Sequence, residues 1–162
     1  MEAAAELAGF FAAHAVWCVS DGETLIAFVG YETLEGQRLM QRMTAERIED
    51  GVVEGKAWMA ANPEPAARAV LIFDAFVTLE SGKTDALIVM LRDYTQDAGQ
   101  VTTAVPYRSA KDEMGFAVHR PKTLEFAGID LDPHSFYEAF WRGVFKHEQG
   151  SKVWNAHLDQ SR

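Results

Sequence analysis

The sequence predicts an α+β fold, a central antiparallel β-sheet of five or six strands flanked by about three helices. Three observations carry that reading. The stretch from Ala69 to Asp93 reads as a long β-hairpin that is apolar on both faces. Val101 to Tyr107 and Gly115 to Arg120 look like two further strands, and every connection is too short for a parallel crossover, so the hairpin becomes part of a four-stranded antiparallel meander. Apolar residues recur at helical spacing in residues 2–14, 34–61 and 133–145.

The hairpin organises the rest. Its arms, Ala69 to Leu79 and Thr84 to Arg92, are rich in the β-branched and aromatic residues that fit a pleated surface, and Glu80-Ser81-Gly82-Lys83 supplies the turn. The tightest register places Ser81 and Gly82 in a two-residue loop, with Glu80 opposite Lys83. One face then carries Leu71, Phe73, Ala75, Val77 and Leu79 with Ala86, Ile88 and Met90. The other carries Val70, Ile72, Phe76, Leu87, Val89 and Leu91, interrupted by Asp74, Asp85 and Asp93. A sheet with one solvated face alternates apolar with polar, and this one does not, so both faces are expected to be at least partly covered.

Along the chain, residues 2–14 are Ala-rich with Leu7, Phe10, Phe11 and His14 at helical spacing, which suits a short amphipathic helix. Ala15 to Val19 and Thr24 to Val29 read as two strands joined at Asp21-Gly22, a strong short-range hairpin signal. From Leu34 to Ala61 the spacing returns to helical, with Gly51 and Gly55 as expected breaks and Asn62-Pro63-Glu64-Pro65 as the stop. Beyond the hairpin, Tyr94 to Gly99 reads as a polar turn and Leu124 to Phe126 as a short extended piece. Asp132 as N-cap and Pro133 at the first helical position open a helix whose apolar face holds Phe136, Tyr137, Phe140, Trp141, Val144 and Phe145. Gly150 is its expected stop, and Val153, Trp154 and Leu158 suggest that the tail docks.

This order of elements, helix, two strands, helix, three or four strands, helix, resembles the profilin-like and roadblock-type architectures. In those an antiparallel sheet is flanked by helices and often pairs with a second copy. PAS-like, GAF-like and secretion-chaperone-like folds share parts of the order, and no functional residue is carried over from any of them.

A chain of 162 residues fits one domain, 1–162, with a core that needs neither disulfide nor metal. A net charge of -9 opposes the phosphate backbone of nucleic acid and anionic membranes, so neither is expected as a partner. The single cysteine, Cys18, in an apolar run reads as a small buried hydrophobe in a reducing, cytoplasmic setting. No basic leader precedes the N-terminal alanines, and no apolar run reaches the length of a membrane helix, so a soluble protein is expected.

The search for chemistry finds no phosphate loop, nucleophile elbow or cysteine pair, and no cofactor or metal is expected. His147-Glu148-Gln149-Gly150-Ser151 begins like a zinc-protease motif but has Ser where the second His must stand. The remaining histidines, His14, His119, His134 and His157, share no metal-ligand spacing. Asp74 stands out as a carboxylate between Phe73 and Phe76, which must find partners or be neutralised if buried. Tyr107, Arg108, His119 and Arg120 form the candidate ligand site, since two arginines, a histidine and a tyrosine near strand ends suit a carboxylate or phosphate.

Three functions follow, in order. The first is a non-enzymatic interaction or adaptor domain working as a homodimer. The second is a sensor or binding domain for a small anionic ligand at the Tyr107, Arg108, His119 and Arg120 region. The third is a hydrolase or isomerase using Asp74 or His119. The homodimer leads because a helix covers a stripe of sheet about 10 Å wide, and five strands at about 4.8 Å spacing are wider than two such stripes.

Overall fold

The computed structural model describes residues 1–96, 99–127 and 132–162. Its elements run α1 (Glu2–Val19), β1 (Phe28–Thr33), β2 (Arg38–Arg42), α2 (Ile48–Ala61), β3 (Ala66–Leu79), β4 (Gly82–Asp93), β5 (Gly99–Arg108), β6 (Ala117–Val118), β7 (Lys122–Ala127), α3 (Pro133–Lys146) and α4 (Glu148–Ala156). The expected α+β class and antiparallel sheet are present. The strand order is β2-β1-β3-β4-β5, and both β6 and β7 then pair with β5, β6 at its C-terminal end and β7 along the rest. Residues 97–98 of the expected Tyr94–Gly99 turn lie outside the described residues.

The hairpin β3–β4 is the centre of the sheet, but its register differs from expectation by one pair. Leu79 faces Gly82 and Thr78 faces Lys83, which leaves Glu80 and Ser81 in the loop. The reason is turn chemistry: within this turn only Gly82 takes a positive φ, +114°, as in a type I turn closed by a bulge glycine. The slip moves one arm by two residues, so every side chain keeps its predicted face. Val70, Ile72, Leu87, Val89 and Leu91 enter the main core, and Leu71, Phe73, Ala86, Ile88 and Met90 look the other way.

The expected strand at Ala15 to Val19 is instead the last turn of α1. Ala15, Val16 and Val19 continue the buried surface of Ala8, Phe11 and Ala12, and that burial overrides the β-preference of Val-Trp-Cys-Val. The Asp21-Gly22 signal then serves to end a helix rather than turn a hairpin, with the Gly22 N–H donating to the Val19 carbonyl at 3.1 Å. The N-terminal hairpin is β1–β2, turning at Leu34 to Gln37. The predicted helix over 34–61 is accordingly only α2, because pairing with β1 fixes Arg38–Arg42 as an edge strand despite its helix-favouring residues.

Gly51 and Gly55 do not break α2. A Cβ at Gly51 would stand 2.8 Å from the Met43 carbonyl oxygen, and one at Gly55 would stand 2.5 Å from Leu71 Cδ1, so both glycines let the helix lie close on what it covers. Gly150 likewise is no stop. The chain breaks at His147 and re-enters α4, and Gly150 packs against the main chain of Ala13.

The layers follow. α1 lies on one face of β3 and β4 and is covered in turn by α3 and α4, while α2 lies on the opposite face, over β1 and β3. A helix buried between a sheet and two helices has little room for large side chains, which explains the alanines. Ala4, Ala5, Ala8, Ala12, Ala13 and Ala15 are fully buried, and a Cβ at Gly9 or Gly143 would collide with the carbonyl oxygen of Phe140 or Glu6 across the α1–α3 contact. The aromatic face of α3 closes this layer: Phe136, Phe140 and the docked Trp154 are buried. Asp132 caps α3 as expected, accepting from the Ser135 N–H at 3.1 Å.

Candidate functional site

The face under α1 changes character where α1 ends. Beyond Val19 the same strand face presents Asp74 on β3, Asp85 on β4 and Tyr107 on β5, and Tyr107 stands directly opposite Asp85 in the register. The Tyr107 hydroxyl reaches past Asp85 to Asp74, with oxygen separations of 2.9 and 2.7 Å to its two carboxylate oxygens. Ser109, Lys111 and the loop at Gly22 to Thr24 complete a cleft of about 170 Å³.

Burial raises the Asp74 carboxyl pKa, the Tyr107 hydrogen bond works against that, and the charge of Asp85 adds to the rise. Asp85 is raised as well, chiefly by burial. The Tyr107 hydroxyl is pushed far upward by burial and by Asp74, so it stays a protonated donor. Asp74 thus finds the partner that a carboxylate in an apolar hairpin needs. Chemically the group is a carboxyl held by a phenol, with a second carboxyl beside it.

The four residues of the predicted ligand site divide three ways. Tyr107 is buried and committed to Asp74. Arg108 clamps its own loop, donating from Nε to the Gly115 carbonyl at 2.7 Å and from Nη2 to the Met114 carbonyl at 3.3 Å. His119 and Arg120 hold the C-terminal tail. The fully buried His119 donates from Nδ1 to the Asp159 carbonyl at 3.1 Å, and Arg120 donates from Nη2 to the Gln160 carbonyl at 2.6 Å. Val118 bridges Leu158 beside them, which fastens the tail to β6. Tyr107 and Arg108 both border a second cleft of about 580 Å³ with Phe76, Lys83 and Arg162, whereas Arg120 lies in a different one with Tyr137 and Trp141.

A further pair of functional groups is visible only in three dimensions. His14 on α1 and His147 between α3 and α4 face each other, Nδ1 to Nε2, at 3.2 Å. His147 Nδ1 accepts the Gly150 N–H at 2.9 Å and so caps α4. That bond fixes the proton of His147 on Nε2, which donates to His14 Nδ1, and the proton of His14 is therefore on its own Nε2. Phe10, Trp17 and Phe28 pack around the two rings. Burial lowers both imidazole pKa values, with His147 and then Arg42 adding to the effect on His14. No sequence spacing announces a pair separated by 133 positions. The nearest signals are the place of His14 on the apolar face of its helix and the truncated motif at His147.

Among the described residues no group of three or more His, Cys, Asp or Glu is placed to hold a metal ion, and no helix is long and apolar enough to cross a membrane. Comparison with protein-family models, curated proteins and solved structures finds no match to this chain.

Proposed function

We propose that this chain is a non-catalytic interaction domain that pairs with a second copy through the sheet face opposite α1. One observation carries the reading. On that face the buried Ala86, Ile88 and Ala104 form a cluster packed by the half-buried Phe73, Ala75, Val77 and Met90, and among the described residues no helix contributes a member to it. α2 covers β1 and the first part of β3, and its cluster reaches Met90 of β4; beyond it Ala86, Ile88 and Ala104 are buried among strand side chains, while Ala75, Val77 and Met90 stay half-buried. The open floor, three strands at about 4.8 Å spacing, is about as wide as one helix.

A two-fold axis parallel to the strands lays α2 of each copy on the open floor of the other, so both faces of each sheet are then filled. The charges suit that arrangement. α2 exposes Glu49, Asp50 and Glu54 around the exposed Val53, while Arg92 and Lys122 border the floor by register. An apolar centre with a charged rim is the usual anatomy of a protein interface.

Multi-angle light scattering across a wide concentration range tests this. The parent should run at the mass of two 18.0 kDa chains, and Val53→Glu, which alters only an exposed side chain, should run at the mass of one. A parent that stays at one chain mass at every concentration ends the proposal.

A further inference from the structure

Independently of pairing, the chain carries a cavity of about 330 Å³ between the end of α1, the segment leading into β1, and edge strand β2. Its walls include His14 and Cys18, one helical turn apart, with Leu25, Phe28, Met40 and Arg42. We propose that this cavity binds a small carboxylic acid that carries a short apolar tail, with Arg42 and the Nε2–H of His14 holding the carboxylate.

The donor arrangement follows from the histidine pair. Because His147 spends its Nδ1 on the cap of α4 and its Nε2–H on His14, the free proton of His14 sits on Nε2, and no hydrogen bond among the described residues uses it. Arg42 lines the same cavity, is exposed, and makes no ion pair among the described residues. A fixed imidazole N–H and a guanidinium in one cavity complement a carboxylate, which accepts from both. Burial, with the charge of Arg42 beside it, lowers the His14 pKa, so in the free chain it stands as a neutral N–H donor.

The rest of the cavity selects the tail. Leu25, Phe28 and Met40 offer apolar wall, and burial keeps the Cys18 thiol protonated, so it adds a neutral surface rather than a second anion. A space of about 330 Å³ lies at the small end of ligand sites and accommodates an aryl-acetic or six-carbon acid. Glu23, exposed on the same cavity, repels an anion on its own side and so directs the carboxylate toward Arg42.

The test uses phenylacetate and its neutral isostere phenylacetamide, titrated into the full chain with nitrogen-15 labelled histidine. Phenylacetate should shift the His14 Nε2–H resonance saturably, with phenylacetamide binding about tenfold or more weakly, a difference of about 1.4 kcal/mol. Arg42→Gln should weaken phenylacetate by a similar factor, and Glu23→Gln should tighten it. No saturable shift, equal binding of acid and amide, or undiminished binding in Arg42→Gln overturns the proposal.

Discussion

The two faces of the β3–β4–β5 sheet are built from similar residues and end in different environments. On one, Val70, Ile72, Leu87, Val89, Leu91 and Val105 lie under α1, which is itself roofed by α3 and α4. On the other, Leu71 lies under α2 and Phe73 meets its edge at Lys56, but Ala75, Val77 and Met90 remain half-buried. Apolar content therefore does not distinguish a face that is finished within the chain from one that another molecule finishes. What distinguishes them is the supply of helix. One long Ala- and Gly-rich helix fits flat between layers, and the single helix on the other side is too narrow for the sheet it meets.

Substitutions should separate the faces by size of effect. The largest is expected in the roof of the closed face. Phe140 is fully buried, so Phe140→Ala should cost about 3–5 kcal/mol in urea unfolding. Gly143→Ala forces a methyl group against the Glu6 carbonyl and should cost about 3 kcal/mol by the same measurement, because two backbones must part. At the margin of that face, Tyr107→Phe removes the hydroxyl that donates to Asp74, its one side-chain partner among the described residues, and should cost about 1.5 kcal/mol at neutral pH.

Acid should report on the closed face through its histidines. His14 and His147 have lower pKa values in the folded chain than the ordinary 6.5, so the folded state binds fewer protons. Their contribution is complete above about pH 6.5 and is lost as the pH falls below it. His147→Asn keeps a capping side chain for α4 but does not titrate, and thermal melts of that variant between pH 7 and 5 should show a shallower loss. Asp74 has the opposite sign. Its raised pKa makes the folded state bind more protons, so its contribution weakens as the pH rises above the usual carboxylate range. The smallest effect belongs to the open face, where Val77→Ala should change the stability of the monomeric Val53→Glu background by less than about 1 kcal/mol.

Much of the fold was legible because period-two and helical patterns are local. The hairpin faces, the Asp132 cap and the docking of Trp154 all followed from neighbours in sequence. Ala15 to Val19 was misread as a strand because its β-preference is local, whereas the burial that keeps it helical comes from the sheet and α4. Arg38 to Arg42 was misread as helix for the converse reason, since an exposed edge strand carries no apolar alternation to betray it. The candidate site was less legible. Asp74 was identifiable as a carboxylate in need of a partner, but strand adjacency alone did not reveal that Arg108, His119 and Arg120 turn to main-chain carbonyls. The His14–His147 pair depends on α1 crossing the α3–α4 junction, which no spacing encodes.

Solvent access to the open face gives the most direct test of the account. Methyl resonances of Val77 and Met90, half-buried on that face in the single chain, and of the buried Leu87 and Val89 on the closed face, can be followed by NMR with a soluble paramagnetic agent added. In the parent both sets should be protected. In Val53→Glu, Val77 and Met90 should broaden strongly while Leu87 and Val89 stay unchanged. If Val77 and Met90 broaden equally in parent and variant, the open face has no second copy upon it.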